Sequence, residues 1–154
     1  MKKWMATLAV WAVSLGAFAT EGWETDYGKA LERAKAEKKY VLIDFSGVNW
    51  CRWCVRLDKE VFSQPAFKDY AKEHLVLLLV DWPQSGPDVA KIRKKNEPLL
   101  KKFGVRGFPT VVILDPEGNA VARMGYQPGG ADAYVESLKK VIATSKQQGD
   151  KPKK

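Results

Sequence analysis

Short apolar runs alternate along this chain with longer stretches in which apolar residues recur at helical spacing. Apolar runs of about four to eight residues are typical of buried strands, whereas apolar positions three and four apart are typical of amphipathic helices. The pattern predicts strands over 40–45, 75–80, 111–114 and 119–124. It predicts helices that follow Thr25 or Asp26, begin at Cys51, and span 66–73, 89–103 and 131–146, with a disturbance of the fourth helix at Pro98.

The connection between the last two predicted strands is a strong turn signal. Residues 115–118 read Asp-Pro-Glu-Gly, and aspartate, proline and glycine each favour a turn for a different conformational reason. We therefore expect these two strands to pair as an antiparallel hairpin. Buried strands separated by helices require a sheet that is covered on both faces. The pattern thus predicts an α/β domain with a central mixed sheet and helices on both faces.

The first 19 residues have the pattern of a secretory signal peptide. They begin with Met-Lys-Lys, continue as an apolar stretch and end in Ala-Phe-Ala, and these three features are typical of such signals. We expect cleavage near Ala19 and a periplasmic or secreted location. The alternative is an uncleaved membrane anchor, for which the apolar stretch 4–19 is shorter than the about 20 residues that a full span needs.

The length of the chain limits the number of domains, and its charge bears on the kinds of partner. A chain of 154 residues is long enough for one domain with a hydrophobic core and short for two. The expected division is a signal peptide at 1–19, one domain at 20–146 and a flexible basic tail at 147–154. The formal net charge is +8, but no nucleic-acid-binding motif accompanies it, so we expect no nucleic-acid partner.

Cys51 and Cys54 are the two cysteines of the chain, and they stand at the start of a predicted helix. Residues three apart share a helix face, so the two sulfur atoms can meet. Unpaired N–H groups in the first turn lower the pKa of a thiol, and Arg52 adds a positive charge beside it. We therefore expect Cys51 to attack a partner disulfide and Cys54, which should be more buried, to resolve the mixed disulfide.

Other uses of the two cysteines compete with disulfide exchange. A purely structural disulfide across so short a loop would stabilise the fold by about 2 kcal/mol, against nearly 5 for a loop of about 100 residues. A zinc site needs four ligands, and the chain adds only His74, so no zinc is expected. A copper(I) site with two thiolate ligands stays open as an alternative.

With these motifs the chain resembles the thioredoxin superfamily. The resemblance rests on Leu42-Ile43-Asp44-Phe45, on Trp50-Cys51-Arg52-Trp53-Cys54 and on 105–110, which read Val-Arg-Gly-Phe-Pro-Thr. It extends over about 27–142. Residues 54–62 further resemble exported bacterial thioredoxin-like proteins and the C-terminal domain of membrane-bound disulfide-interchange reductases. The resemblance implies a thioredoxin fold and thiol–disulfide exchange.

The resemblance also implies roles for individual residues. Pro109 should be a cis proline that faces the cysteines and leaves the backbone of Phe108 free to pair with an extended substrate. Asp44 matches the buried acid that assists proton transfer at the resolving thiol, and Trp50 would form part of the surface around Cys51. The substrate-binding set is completed by two residues between the cysteines, Arg52 and Trp53, with simple local packing as the open alternative for Trp53. These two residues replace the Gly-Pro of ordinary thioredoxins, and the linker after Asp44 is one residue longer, so the redox potential and the partner choice do not follow from the family.

The expected activity is that of an exported thiol–disulfide oxidoreductase that acts on the thiols and disulfides of protein partners. We expect a reductase, and an oxidase or an isomerase stays open as an alternative. No organic cofactor is implied, because the dithiol itself carries the electrons. A reductase in the membrane is a candidate electron donor, and a monomer is expected. The competing hypothesis is a binding protein, either a copper(I) carrier or a thioredoxin-like domain that docks partners without turnover.

Overall fold

The central sheet contains five strands within residues 22–149, the part of the chain that the computed structural model describes. The strands lie in the order β1-β3-β2-β4-β5. Strand β2 pairs in parallel with β3 and antiparallel with β4, and β4 and β5 form the predicted antiparallel hairpin. The bounds are β1, Trp23–Glu24; β2, Tyr40–Ser46; β3, Leu75–Asp81; β4, Thr110–Leu114; and β5, Ala120–Met124.

Helices cover both faces of this sheet, as the apolar pattern predicts. One face packs against α1 and α4, and the opposite face packs against α3, α5 and the segment after the cysteines. The bounds are α1, Tyr27–Glu37; α2, Arg52–Leu57; a π-helical turn, Asp58–Phe62; α3, Pro65–His74; α4, Val89–Lys102; and α5, Gly130–Gly149. None of these helices combines the length and the apolar character that crossing a membrane requires.

Strand β2 lies in the middle of the sheet and is buried on both faces. Because successive side chains of a strand point to opposite faces, Leu42 belongs to the core on the α5 side and Ile43 to the core on the α1 side. The register pairs Tyr40 with Leu75 and Ser46 with Asp81. Both parallel strands therefore end at the same edge of the sheet, and the cysteines follow directly after this edge.

The structure differs from the predicted elements at four places. Strand β1 was not predicted, because two residues are too short for a periodic signal. The helix that begins after Cys51 changes to a π-helical turn at Asp58–Phe62, a rare form that hydrophobic periodicity does not distinguish from α-helix. Helix α4 continues through Pro98, where a disturbance was expected.

The last difference concerns the carboxyl-terminal helix. Helix α5 extends to Gly149, three residues into the segment predicted as a flexible tail. The predicted signal peptide at 1–19 and the end of the tail at 150–154 lie outside the described residues.

Candidate active site

A tight turn carries the chain from β2 into α2. The N–H groups of Trp50 and Cys51 both donate to the carbonyl oxygen of Gly47, at 3.2 and 2.8 Å. Cys51 is then the N-cap residue of α2, with extended backbone angles. The predicted helix start at this position is therefore correct to within one residue, and it puts the first sulfur at the amino end of the helix.

Cys51 and Cys54 form a disulfide, with their Cα atoms 5.2 Å apart. The backbone N–H of Cys54 donates to Cys51 Sγ at 3.2 Å, so this sulfur occupies the position of a helix-capping oxygen. The N–H of Gly47 donates to Cys54 Sγ at 3.4 Å. When the pair is reduced, the capping N–H and the helix dipole favour the thiolate of Cys51 over its thiol.

The sequence predicts that Cys54 is more buried than Cys51, but the structure shows only a small difference between them. Cys51 is 6% exposed and Cys54 is 4% exposed, so both residues are buried when they are joined. The distinction between them comes from their surroundings. Cys51 lies at the helix amino terminus, whereas Cys54 lines a cavity that reaches into the protein.

This cavity has a volume of about 210 Å³ and connects Cys54 to the buried carboxylate of Asp44. Among residues 22–149, no group forms a hydrogen bond with oxygen Oδ1 of Asp44. Burial, followed by repulsion from Asp58 and Asp81, raises the pKa of Asp44 to about 7. The walls are completed by Trp23, Ser46, Val48, Val55, Asp58, Phe62 and Leu79. Asp44 is thus a carboxyl group that can hold or release a proton near neutral pH in the cavity that Cys54 also lines.

Trp50 and Phe108 form a second side of the site. The bond between Phe108 and Pro109 is cis. The ring of Phe108 packs edge-on against the ring of Trp50, with centroids 5.7 Å apart. Trp50 Nε1–H donates to the carbonyl oxygen of Trp82 at 2.7 Å. Since Trp50 is 37% exposed, it forms surface beside Cys51 and is not a core tryptophan.

The two residues between the cysteines face solvent. Arg52 is exposed on the first turn of α2, and Trp53 is 50% exposed. The ring of Trp53 packs against the ring of Tyr126, with centroids 5.1 Å apart. The guanidinium of Arg56 lies over both rings.

Sequence reasoning missed Tyr126, Arg56 and Glu60 as parts of this surface. Arg56 could have been found from its spacing, because residues three apart on a helix are neighbours and Trp53 precedes it by three. Tyr126 has no local signal, since it follows β5 and meets the cysteine region only through the tertiary fold.

The remaining candidate residue, His74, lies away from the cysteines. His74 ends α3 at the amino end of β3, which is the opposite edge of the sheet, and its ring stacks on Tyr70 with centroids 4.6 Å apart. Among residues 22–149, no group of three or more His, Cys, Asp and Glu side chains is arranged to hold a metal ion.

Comparison with known proteins gives consistent matches. The profile of the thioredoxin-like domain matches residues 27–142. The disulfide bond reductase DsbH of Chlamydia pneumoniae is 38% identical over 120 residues, which cover 78% of this chain and 72% of that protein. A solved structure named DsbH oxidoreductase superimposes with a TM-score of 0.73 at 33% identity, covering 92% of this chain and 95% of that one.

A partial match relates the chain to a longer protein. The thiol:disulfide interchange protein DsbD of Pseudomonas fluorescens is 29% identical over 103 residues, which cover 67% of this chain. The match spans only 16% of that protein's length, so it concerns a single region of a much larger molecule.

Proposed function

Because the chain belongs to the thioredoxin-like family, we propose that it is an exported thiol–disulfide oxidoreductase that reduces disulfides of protein partners. The observation that carries this proposal is the placement of the cysteines: Cys51 Sγ caps helix α2, and Cys54 lies on a cavity shared with Asp44. This arrangement suits two sulfur atoms with different tasks. The organic cofactor that many redox enzymes need is not required, since the dithiol carries two electrons.

The first step is attack by Cys51. Its thiolate, stabilised by the N–H of Cys54 and the helix amino terminus, attacks one sulfur of the partner disulfide. The partner's S–S bond breaks, one partner thiolate leaves and takes up a proton, and Cys51 is joined to the partner in a mixed disulfide. Nearby positive charge on Arg52 favours the attacking thiolate.

The second step is attack by Cys54 on the Sγ atom of Cys51. Cys54 must lose its proton, and Asp44 is the group proposed to accept it, directly or through water in the shared cavity. The mixed disulfide breaks, the second partner thiolate leaves, and the Cys51–Cys54 disulfide forms. Two electrons have then moved from the protein to its partner, and two thiols have appeared on the partner.

The partner is proposed to bind across the surface on the Phe108 side of the cysteines. Trp50 and Phe108 form one wall, and Pro109 lies beside them. Arg52 and Trp53 supply a charged and an apolar side chain between the cysteines. An extended segment of the partner would lie along the backbone at Phe108, as the family pattern implies.

The location and the electron supply are also proposals. The amino-terminal pattern of 1–19 favours export to the periplasm or beyond, with cleavage near Ala19. A protein that reduces disulfides there needs its own dithiol restored, and a reductase in the membrane is the candidate donor. A protein disulfide and a donor dithiol would both react at Cys51.

Trapping of the mixed disulfide tests the proposal. Cys54→Ser should form a stable covalent complex with an oxidised protein such as insulin, because the second step is blocked. Cys51→Ser should form none. Non-reducing electrophoresis and mass spectrometry would detect the complex, and equilibration with dithiothreitol buffers would give the potential of the wild-type couple. A potential near about −270 mV supports a reductase, and one near about −120 mV a disulfide donor. A folded protein that exchanges with neither reagent would contradict the enzyme proposal.

A further inference from the structure

Trp53 is a large apolar side chain that stays half exposed next to both cysteines. It is held by Arg56, which lies one turn later on the same helix, and by Tyr126 from a distant part of the sequence. The Tyr126 ring covers it from the loop after β5. The guanidinium carbon of Arg56 lies 5.4 Å from the Trp53 ring centroid and 5.3 Å from that of Tyr126. The indole is thus fixed by contacts on its protein side while much of it remains open to solvent.

The carboxylate of Glu60 links Arg56 to Tyr126 and so completes the set of contacts behind Trp53. Arg56 Nε donates to Glu60 Oε1 at 2.6 Å, and the Tyr126 hydroxyl donates to Glu60 Oε2 at 2.6 Å. Glu60 belongs to the π-helical turn that follows α2, and such turns are frequent at functional sites. The hydrogen bond from Tyr126, followed by that from Arg56, lowers the pKa of Glu60, so Glu60 is ionised and accepts from both donors.

We infer that Arg56, Glu60 and Tyr126, here called the Trp53 clamp, hold the Trp53 indole as a preformed wall of the partner-docking site and so determine which disulfides the protein prefers. These three are positioning residues that act through Trp53. The inference rests on the proposed function and adds to it a specificity-determining role outside the cysteine motif.

The surface around the clamp indicates the chemistry of the partner. The described residues include four large apolar side chains that are exposed, and all four flank the cysteines: Val48, Trp50, Trp53 and Val55. A concentration of exposed apolar side chains marks a surface that another molecule covers. We therefore assign the occupant as an extended protein segment with an aromatic or aliphatic residue next to its disulfide. The clamp keeps Trp53 ordered before binding, which lowers the entropic cost of docking.

The test compares two peptides that differ at one position. Both contain the same intramolecular disulfide, and the residue beside it is phenylalanine in one and glycine in the other. The ratio of kcat/KM for the two peptides measures the preference and cancels changes in the redox potential, because one enzyme acts on both. Wild type should prefer the phenylalanine peptide by about threefold to tenfold, the range expected for one aromatic or cation–π contact.

The variants are chosen so that they leave the fold intact. Arg56→Met and Tyr126→Leu should reduce the preference to within about twofold of equality, with the loss of kcat/KM falling mainly on the phenylalanine peptide. Arg33→Met is the matched control, because Arg33 makes the same i,i+4 contact to Glu37, Nε to Oε1 at 2.8 Å, on α1. This control should keep the wild-type ratio. Tyr126→Phe removes only the hydroxyl contact to Glu60, and an intermediate ratio is expected.

A double-mutant comparison shows whether the clamp acts through Trp53. Trp53→Leu should itself abolish the preference, and adding Arg56→Met to it should change nothing further, because the two changes remove the same contact. A further loss in the double variant would overturn the inference. So would clamp variants that keep the wild-type preference, or variants that slow both peptides equally.

Failure of the proposed function can be told apart from failure of this inference. Cys51→Ser/Cys54→Ser protein, which cannot exchange disulfides, is titrated with both peptides after their cysteines have been replaced by serine. Tighter binding of the phenylalanine peptide that is lost in Arg56→Met supports the clamp even if wild type proves to have no reductase activity. Equal binding of both peptides overturns the inference whatever the activity.

Discussion

Asp44 is a carboxylate in the central strand of the sheet, with Ile43 and Phe45, both fully buried, on either side of it. Burial is the main cause that raises its pKa to about 7, with smaller contributions from Asp58 and Asp81. An aspartate in an unfolded chain titrates near about 3.9. Between these two values, Asp44 therefore holds a proton in the folded protein that it has lost in the unfolded chain.

This difference makes a prediction about the pH dependence of stability. Because Asp44 binds its proton more tightly in the folded state, its contribution to the free energy of unfolding should fall as the pH rises from about 4 to 7. Each pKa unit corresponds to about 1.4 kcal/mol, so ionised Asp44 costs the folded state roughly 4 kcal/mol above this range. Asp44→Asn stays neutral and should be more stable than wild type at pH 8, with the advantage disappearing towards pH 4.5. Urea unfolding of the oxidised proteins at several pH values measures this difference in the free energy of unfolding.

The control for this measurement is Asp69→Asn. Asp69 is an exposed aspartate on α3, so its replacement should leave the pH dependence of wild type unchanged. Curves for Asp44→Asn and wild type that run parallel from pH 4.5 to 8 would contradict the raised pKa. They would also remove the main physical support for Asp44 as the proton acceptor of Cys54.

At the scale of elements, the turn between β2 and α2 positions the cysteines, and Gly47 is its critical residue. Its N–H donates to Cys54 Sγ and its carbonyl accepts from Cys51. It also lies under the indole of Trp50, because a Cβ atom on Gly47 would come within 2.5 Å of Trp50 Cε2. No ordinary side chain fits there unless Trp50 moves away from Trp82.

Gly47→Ala should therefore destabilise the protein by about 1–3 kcal/mol, the usual cost of an added methyl group in a packed region. Trp50 should lose its hydrogen bond to Trp82, so its indole N–H should exchange with solvent faster in NMR spectra. Gly107→Ala is the control, because a Cβ on Gly107 would meet no atom within 4 Å. Equal stability of the two variants would show that the turn adapts without displacing Trp50.

The elements show what the sequence predicts and where it does not suffice. Strands β2, β3 and β4 were predicted to within about a residue, because buried strands form uninterrupted apolar runs. The cysteine pair was found from its spacing and the preceding strand. The contact between Trp53 and Tyr126 was not found, since more than 70 residues separate them in sequence and only the order of strands brings them together.

Burial of Asp44 was likewise suggested by its neighbours in sequence, but its cavity was not. The cavity is formed by side chains from β1, β2, β3 and the segment after the cysteines, and no local pattern specifies such a combination. Site residues that are positioned by the backbone next to them in the sequence could thus be predicted. Residues that act through long-range packing required the structure.

At the scale of the whole molecule, the sheet separates two hydrophobic clusters within the described residues. One contains Leu138 of α5 and the other contains Leu114 of β4, and both side chains are fully buried. Adjacent residues of β2 belong to opposite clusters, since Leu42 faces one and Ile43 the other. Loss of either cluster would expose one face of the same central strand, so the two should unfold together.

Leu114→Ala and Leu138→Ala test this coupling. Each should lower the free energy of unfolding by about 2–5 kcal/mol, the range for a buried leucine. Far-ultraviolet circular dichroism and tryptophan fluorescence should report the same urea midpoint in each variant, with an unchanged slope. The effects should add in the double variant, because the side chains lie in different clusters. Two separate transitions, with one face of the sheet melting first, would show that the sheet does not couple the two clusters.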